Sequence, residues 1–290
     1  MKEHVVKNYI NKITNNYYKF ILLYKSNNKI IYKLTKGKNK ILAKVYLDNF
    51  SKSLSLNEIR GHRYFIKNKY INTPKLIFFK KNSKFNILLR DFIIGKKRRF
   101  NYFKLFNYYK FPNKKYLKKI TLKDYFKKSF LNLNSNQRKL KDIITKFHKN
   151  FIIICGPSHG DLIHYNLLTN RNKNYFIDFE FFSKKRTLYF DFFTWFIIPI
   201  ITKAIKYKIT FAIHLLISFF LFIIYYFSNQ KHFTKNFKNF QIYFNIFLFE
   251  KIYLMEKIYS QSTFQNKILK IRHLKVIQVL NSIINKRLKN

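Results

Sequence analysis

An α+β architecture in two lobes, an N-terminal antiparallel sheet with one helix followed by a mainly helical C-terminal lobe, is what this sequence predicts. Three observations carry it. Residues 17–47 alternate apolar and polar side chains in short runs between turn residues. Asn136 to Asn150 places Leu140, Ile143, Ile144 and Phe147 on one helical face. From Phe240 to Leu288 the pattern reads as two helices with mixed apolar and basic faces. With 290 residues, 48% of them hydrophobic, the chain can bury a core in each lobe.

The first lobe takes residues 1–95. Turn residues at Ser26-Asn27-Asn28 and Lys36-Gly37-Lys38-Asn39 divide its opening into three hairpin-linked strands. The third, Ile41 to Tyr46, carries Lys44 among apolar neighbours, where a cation needs a partner. Ser55 to Phe65 reads as a helix with Glu58 in its early part. Pro74 to Phe79 and Asn86 to Ile93 complete the sheet around a hairpin loop at Lys80 to Lys84, and Gly95 ends the apolar run as a turn residue.

The second lobe takes residues 96–290. It opens on a stretch, 96–119, in which aromatics are interleaved with Lys96-Lys97-Arg98-Arg99, Lys114-Lys115 and Lys118-Lys119. Such a mixture suits an anionic lipid, a phosphorylated substrate or RNA, and equally a solvated insertion. Phe151 to Cys155 is a buried strand turned by Gly156-Pro157. The run Ile209 to Phe227 has only Thr210, His214 and Ser218 as clearly polar members and is long enough to cross a bilayer; buried helices of the second lobe are the preferred reading, and peripheral membrane contact stays open.

The formal charge is +47, from 59 basic and 12 acidic residues. Charge of that size ordinarily points to nucleic acid, anionic lipid or phosphorylated substrates. Asn, Lys, Ile, Phe and Tyr recur everywhere, however, as AT-rich codons would dictate, so nucleic acid is disfavoured as the partner. Against this background the few acids and the five glycines are the informative residues. Cys155 is the single cysteine and reads as a small buried hydrophobe, so the chain has no intrachain disulfide. Met1-Lys2-Glu3-His4 opens no signal peptide, and a cytoplasmic location is the default expectation.

The chemistry concentrates in Ser158-His159-Gly160-Asp161-Leu162-Ile163-His164-Tyr165-Asn166-Leu167-Leu168 and Tyr175-Phe176-Ile177-Asp178-Phe179-Glu180. Asp161 and Asn166 fall on a tight loop, and a short apolar strand brings Asp178 back to it. One carboxylate can orient a hydroxyl, while an amide and a second carboxylate offer hard oxygens to Mg²⁺. Phosphoryl transfer from ATP needs that set.

These motifs resemble the catalytic loop and metal-binding aspartate of the protein-kinase-like phosphotransferases. His-Gly-Asp-Leu-(x)4-Asn with Ile-Asp-Phe-Glu is most similar to the aminoglycoside phosphotransferase and choline kinase branch, with lipopolysaccharide sugar kinases as close relatives. The resemblance implies a bilobal kinase-like fold and an ATP- and Mg²⁺-dependent kinase. It makes Asp161 the catalytic carboxylate and Asn166 and Asp178 the metal ligands. It sets Lys44 on the α- and β-phosphates, held by Glu58, and puts the adenine against backbone from Asp91 to Ile93 at the crossing between lobes. His159 becomes a brace, and Asp191 secures the catalytic loop backbone. No Gly-x-Gly-x-x-Gly precedes Lys44, which leaves the Ser26-Asn27-Asn28 turn to cover the phosphates. The acceptor expected is a small-molecule or glycan hydroxyl. A lipid-linked or lipopolysaccharide sugar suits the basic stretch, and the scarcity of acids disfavours a strongly cationic acceptor. The alternative is a kinase scaffold without turnover that binds anionic lipid or nucleic acid. Oligomeric state is not legible.

Overall fold

The computed structural model describes residues 3–68, 72–97, 114–148, 150–170, 173–209, 213–228, 237–261 and 267–289. The first lobe is a five-stranded antiparallel sheet of order β1-β2-β3-β5-β4, built from β1 (Lys19–Lys25), β2 (Lys29–Lys36), β3 (Asn39–Tyr46), β4 (Leu76–Lys81) and β5 (Asn86–Asp91). Both predicted turns fall where expected. Alternation decides what each face does. Ile30, Tyr32 and Leu34 on β2, Ile41, Ala43 and Val45 on β3, and Ile87 and Leu89 on β5 pack against Val6 and Ile10 of helix α1 (Glu3–Thr14). The opposite set, including Lys29, Ile31, Leu42, Lys44 and Tyr46, faces the second lobe and α2 (Asn49–Asn68).

The sequence reading left α1 unassigned, although Val6, Ile10 and Ile13 recur at helical spacing. It also began α2 too late. The helix starts at Asn49 because Asp48 Oδ1 accepts from Ser51 N at 2.6 Å while Ser51 Oγ accepts from Asp48 N at 3.2 Å, a reciprocal cap that fixes the first turn. β5 ends at Asp91, short of the expected Ile93.

After β5 the chain runs through Gly95 into the two-residue strand β6 (Lys96–Lys97), which joins β9 (Leu167–Asn170) and β10 (Lys173–Phe176) in an antiparallel sheet. A third sheet, order β11-β8-β7, combines β7 (Lys118–Thr121), β8 (Ile152–Ser158) and β11 (Ser183–Thr187). Two expectations change here. The basic stretch is not wholly an insertion, since Lys118 and Lys119 belong to β7; residues 98–113 lie outside the described residues. Gly156-Pro157 does not turn the chain, because β8 continues to Ser158. Pro157 is tolerated there because the β8–β11 register shifts between Ser183 and Arg186, so the ladder asks for no N–H from it.

Helices α3 (Leu122–Ser129), α4 (Ser135–His148), α5 (Phe190–Tyr207), α6 (Ile213–Ser228), α7 (Phe237–Gln261) and α8 (Lys267–Lys289) form the rest of the lobe. Leu140 and Ile144 of α4 are buried as expected, whereas the side chain of Phe147 lies outside the described residues. Their common core is aromatic, with the ring of Phe193 packed at tilted angles against Phe240, Phe244 and Phe247. The apolar run from Ile209 is interrupted by residues outside the described set. Its helical part, α6, buries Ile213, Ile217, Leu221 and Ile224 and exposes Leu216, Phe219 and Tyr226. No helix among the described residues is long and apolar enough to cross a membrane.

Candidate active site

The cleft between the lobes holds a cavity of about 390 Å³ lined by Lys44, Asp91, Ile93 and Asp178, with Leu23, Ile31, Leu42, Leu168 and Ile177 as apolar walls. Lys44 reaches it because β3 points every second side chain at the second lobe. Its Nζ lies 2.7 Å from Glu58 Oε2, 3.0 Å from Asp178 Oδ1 and 3.4 Å from Glu180 Oε1. Burial depresses the Lys44 pKa, but Asp178, Glu58 and Glu180 outweigh it and hold the ammonium charged. Burial likewise favours neutral Asp178, yet the ammoniums of Lys44 and Lys29 keep its carboxyl well below the usual range.

Three contacts here were not foreseen. Tyr46, two residues from Lys44 on the same face, donates its hydroxyl to Glu58 Oε2 at 2.5 Å and lies 3.2 Å from Glu180 Oε1. Lys29, at the end of the Ser26-Asn27-Asn28 turn, sets its Nζ 2.8 Å from Glu180 Oε1 and ties that turn to the Asp178 loop. Arg90, 4% exposed, lines the cavity with Nε and Nη1 lacking hydrogen-bond partners. Alternation could have pointed to Tyr46. Nothing distinguishes Lys29 from the other lysines in the sequence.

The loop that carries Asp161 and Asn166 is held from below. Asp191 at the start of α5 accepts from Ser158 Oγ at 2.9 Å, His159 N at 2.8 Å and Gly160 N at 2.9 Å. Gly160 has φ +86°, and a Cβ there would stand 1.9 Å from the carbonyl oxygen of Phe181, so only glycine fits. His159 is fully buried, and burial lowers its pKa. Asp161 N donates to its Nδ1 at 3.4 Å, which leaves Nε2–H to donate to Ile177 O at 3.0 Å. A neutral His159 therefore bridges the two motif loops. Asn166 Nδ2 donates to Asp161 O at 2.8 Å and Oδ2 at 3.3 Å, and Ile177 N donates to Asn166 O at 2.9 Å. Asp178 itself has φ +69°, a strained backbone held where its carboxylate meets Lys44.

Carboxylate oxygens of Glu58, Asp178 and Glu180 lie within 4.8 Å of one another. The expected metal pair was Asn166 and Asp178. Asp178 belongs to this acidic group, and Asn166 is stitched to its loop through Ile177. Hard oxygen donors beside a buried guanidinium whose Nε and Nη1 lack hydrogen-bond partners, and beside two ammoniums, fit both Mg²⁺ and a triphosphate. Where the adenine was expected, Asp91 N and Phe92 N are occupied by Lys75 O at 2.9 Å and Lys40 O at 3.1 Å, and Ile93 follows on the cavity wall.

Beneath the loop α7 contributes two further charges that the sequence did not reveal. Lys251 Nζ lies 3.2 Å from Asp161 Oδ1. Glu250, 4% exposed, accepts from Tyr125 OH and from Thr187 Oγ1, the latter at 3.3 Å. Burial pushes the Glu250 pKa up to about 7 from 4.5. Between those values the native state holds a proton that the unfolded chain has released, so stability falls as pH rises through the interval. The loss is on the order of 3 kcal/mol at about 1.4 kcal/mol per unit. In urea unfolding, Glu250→Gln is expected to match the native protein near pH 4.5 and exceed it by that amount at pH 8. Equal differences at both pH values would refute the assignment.

No family model and no curated protein matches the sequence. Solved structures do match the fold. A thermostable mutant of aminoglycoside phosphotransferase APH(4)-Ia in ternary complex with ADP and hygromycin B aligns with a TM-score of 0.58 at 8% identity, over 97% of this chain and 98% of that one. A microcompartment-associated aminopropanol kinase gives 0.55 at 9% identity, over 99% and 98% of the two chains. A putative fructosamine-3-kinase from Haemophilus somnus 129PT gives 0.54 at 12% identity over 96% of each. End to end, the chain has the bilobal kinase-like fold of the aminoglycoside phosphotransferase and its small-molecule kinase neighbours.

Proposed function

We propose that the protein is an ATP- and Mg²⁺-dependent phosphotransferase that passes the γ-phosphoryl group to a hydroxyl of a small molecule or sugar. The lobe boundary falls at residue 95. The observation that carries this is the convergence on Lys44 Nζ of Glu58 from α2 and Asp178 from the second lobe, at 2.7 and 3.0 Å. An ammonium so held by both lobes is placed to bind α- and β-phosphates, and along Asp91 to Ile93 the N–H not engaged by Lys75 or Lys40, that of Ile93, is the one left for the adenine. Asp178 and Asn166 would hold Mg²⁺, which would supply positive charge against the phosphate oxygens. Asp161 accepts the hydrogen bond of the acceptor hydroxyl and takes its proton late in transfer.

Support for a small-molecule acceptor comes from the aminoglycoside, fructosamine and aminopropanol named for the structural neighbours. The acids of the cleft are already engaged by lysines, which favours a neutral or anionic acceptor such as a lipid-linked or lipopolysaccharide sugar over a polycation. Exposed Leu216, Phe219 and Tyr226 on α6 support peripheral contact with a membrane from the cytoplasmic side, where ATP is available.

Two measurements test the reading. Incubation with labelled ATP and fractionated cell extract should transfer label to one small-molecule or glycolipid fraction. Titration with Mg²⁺ and ADP should show saturable binding that Asp178→Ala weakens roughly 10- to 100-fold, the equivalent of one or two charge-assisted contacts. A scaffold without turnover would label nothing. Affinity indifferent to Asp178→Ala would remove that residue from the site.

A further inference from the structure

Lysine is abundant here and mostly solvent-facing, so an individual surface lysine carries little information. Among the described residues two lysines are buried: Lys44 at 3% exposure and Lys251 at 5%. Codon bias can place lysines on a surface at small cost, but burying an ammonium costs several kcal/mol unless it is compensated. Lys44 is compensated by three carboxylates. Lys251 meets one, Asp161 Oδ1 at 3.2 Å; the ring of Phe190 lies 5.9 Å away, and the ammonium is near enough to His273 to help lower the pKa of that imidazole. An ammonium has three donors, and Asp161 takes one.

Its surroundings on α7 are apolar. Phe247, Leu248, Phe249 and Ile252 are all buried, and Glu250 is satisfied by Tyr125 and Thr187. Lys251 thus intrudes on a buried stretch of helix and points at the carboxylate that is to accept the acceptor's proton. A structural ion pair in such a place would be expected to use its remaining donors on fixed acceptors. The arrangement makes sense if an anionic oxygen arrives with the substrate.

We propose that Lys251 is the second ammonium of the transfer site and donates to a non-bridging oxygen of the γ-phosphoryl group of bound ATP. The proposal rests on the phosphotransferase reading. The acceptor oxygen forms its bond to phosphorus as the bond to the β,γ-bridging oxygen breaks. ADP leaves with that oxygen, the acceptor proton passes to Asp161, and Lys251 keeps its own proton throughout. Lys44 and Lys251 then share the triphosphate, one toward its α- and β-phosphates and the other at the end that moves.

The test needs no knowledge of the acceptor. Affinities for Mg²⁺ with ADP and for Mg²⁺ with the non-hydrolysable ATP analogue AMP-PNP are measured on the full chain, on Lys251→Met, which keeps the apolar stem, and on Lys251→Arg. The expected result for Lys251→Met is AMP-PNP binding weaker by about tenfold, one charged hydrogen bond, with ADP binding within twofold. Lys251→Arg should recover part of the difference. Asp161→Asn, which leaves Lys251 a neutral oxygen in place of its counter-charge, should tighten AMP-PNP over ADP, and should do so only while Lys251 is present. A role confined to packing or to holding Asp161 predicts no change in the AMP-PNP to ADP ratio, and that outcome overturns the proposal. Equal weakening of both nucleotides also overturns it. Absence of any Mg²⁺-ADP binding by the unaltered protein would instead sink the phosphotransferase reading on which it stands.

Discussion

Asp161→Asn is expected to lower turnover by about three orders of magnitude, within the range that a positioned general base contributes, while Mg²⁺-ADP affinity changes by less than twofold. The asymmetry follows from the contacts. Asp161 stands 30% exposed at the mouth of the catalytic loop, and the structure ties it to Asn166 and Lys251, whereas the ammonium of Lys44 is bound to Glu58, Asp178 and Glu180. Asparagine preserves the shape and an oxygen able to accept from Lys251. It loses the basicity that draws the acceptor proton, and it leaves a buried ammonium without a counter-charge. A modest fall in melting temperature should therefore accompany the kinetic effect. Label transfer within tenfold of the unaltered protein would take Asp161 out of the chemistry, whatever happened to binding.

How much of this was legible depended on whether a residue type was rare in the chain. Acids were rare, and Glu58, Asp91, Asp161, Asp178, Glu180 and Asp191 make up half of the 12 and line the cleft or brace its loops. Lys44 was readable because it interrupts an apolar strand whose period is short enough to fix the face it occupies. Lys251 sits on a helix read as having mixed apolar and basic faces, so it looked like any surface lysine; only tertiary packing separates it from Lys257 one side and Lys238 on the other. Lys29 was hidden for the same reason. The five strands of the first sheet came directly from alternation and turn chemistry. The early start of α2 was missed because its cap, Asp48 with Ser51, precedes the apolar periodicity that was used to find the helix. Continuation of β8 through Pro157 could not be read, since the register shift that tolerates it is a property of the pairing with β11.

Asp191→Ala is expected to destabilise the fold by about 3–5 kcal/mol, the scale seen when a buried charge is removed from the groups it satisfies. Asp191 is 1% exposed and receives Ser158 Oγ, His159 N and Gly160 N. Its loss leaves the Ser158 hydroxyl and the His159 N–H unpaired in a buried site, with Gly160 N–H keeping only Ser158 Oγ at 3.1 Å, and each unpaired donor costs about 1–3 kcal/mol. The loop cannot swing aside to find new partners, because Gly160 is pressed against the Phe181 carbonyl and His159 is pinned to Ile177. Asp191→Asn should fall between, since the amide oxygen can still accept from Ser158 and Gly160 while its NH2 group faces a donor at His159. Denaturant midpoints measured beside Asp178→Ala make the comparison decisive. Asp178 is 36% exposed and holds no backbone of the catalytic loop, and its removal leaves Lys44 paired with Glu58 and Glu180. That variant should remain folded and lose nucleotide. Asp191→Ala should lose the fold first, and a midpoint unchanged from the native protein would show that the catalytic loop does not depend on the α5 carboxylate.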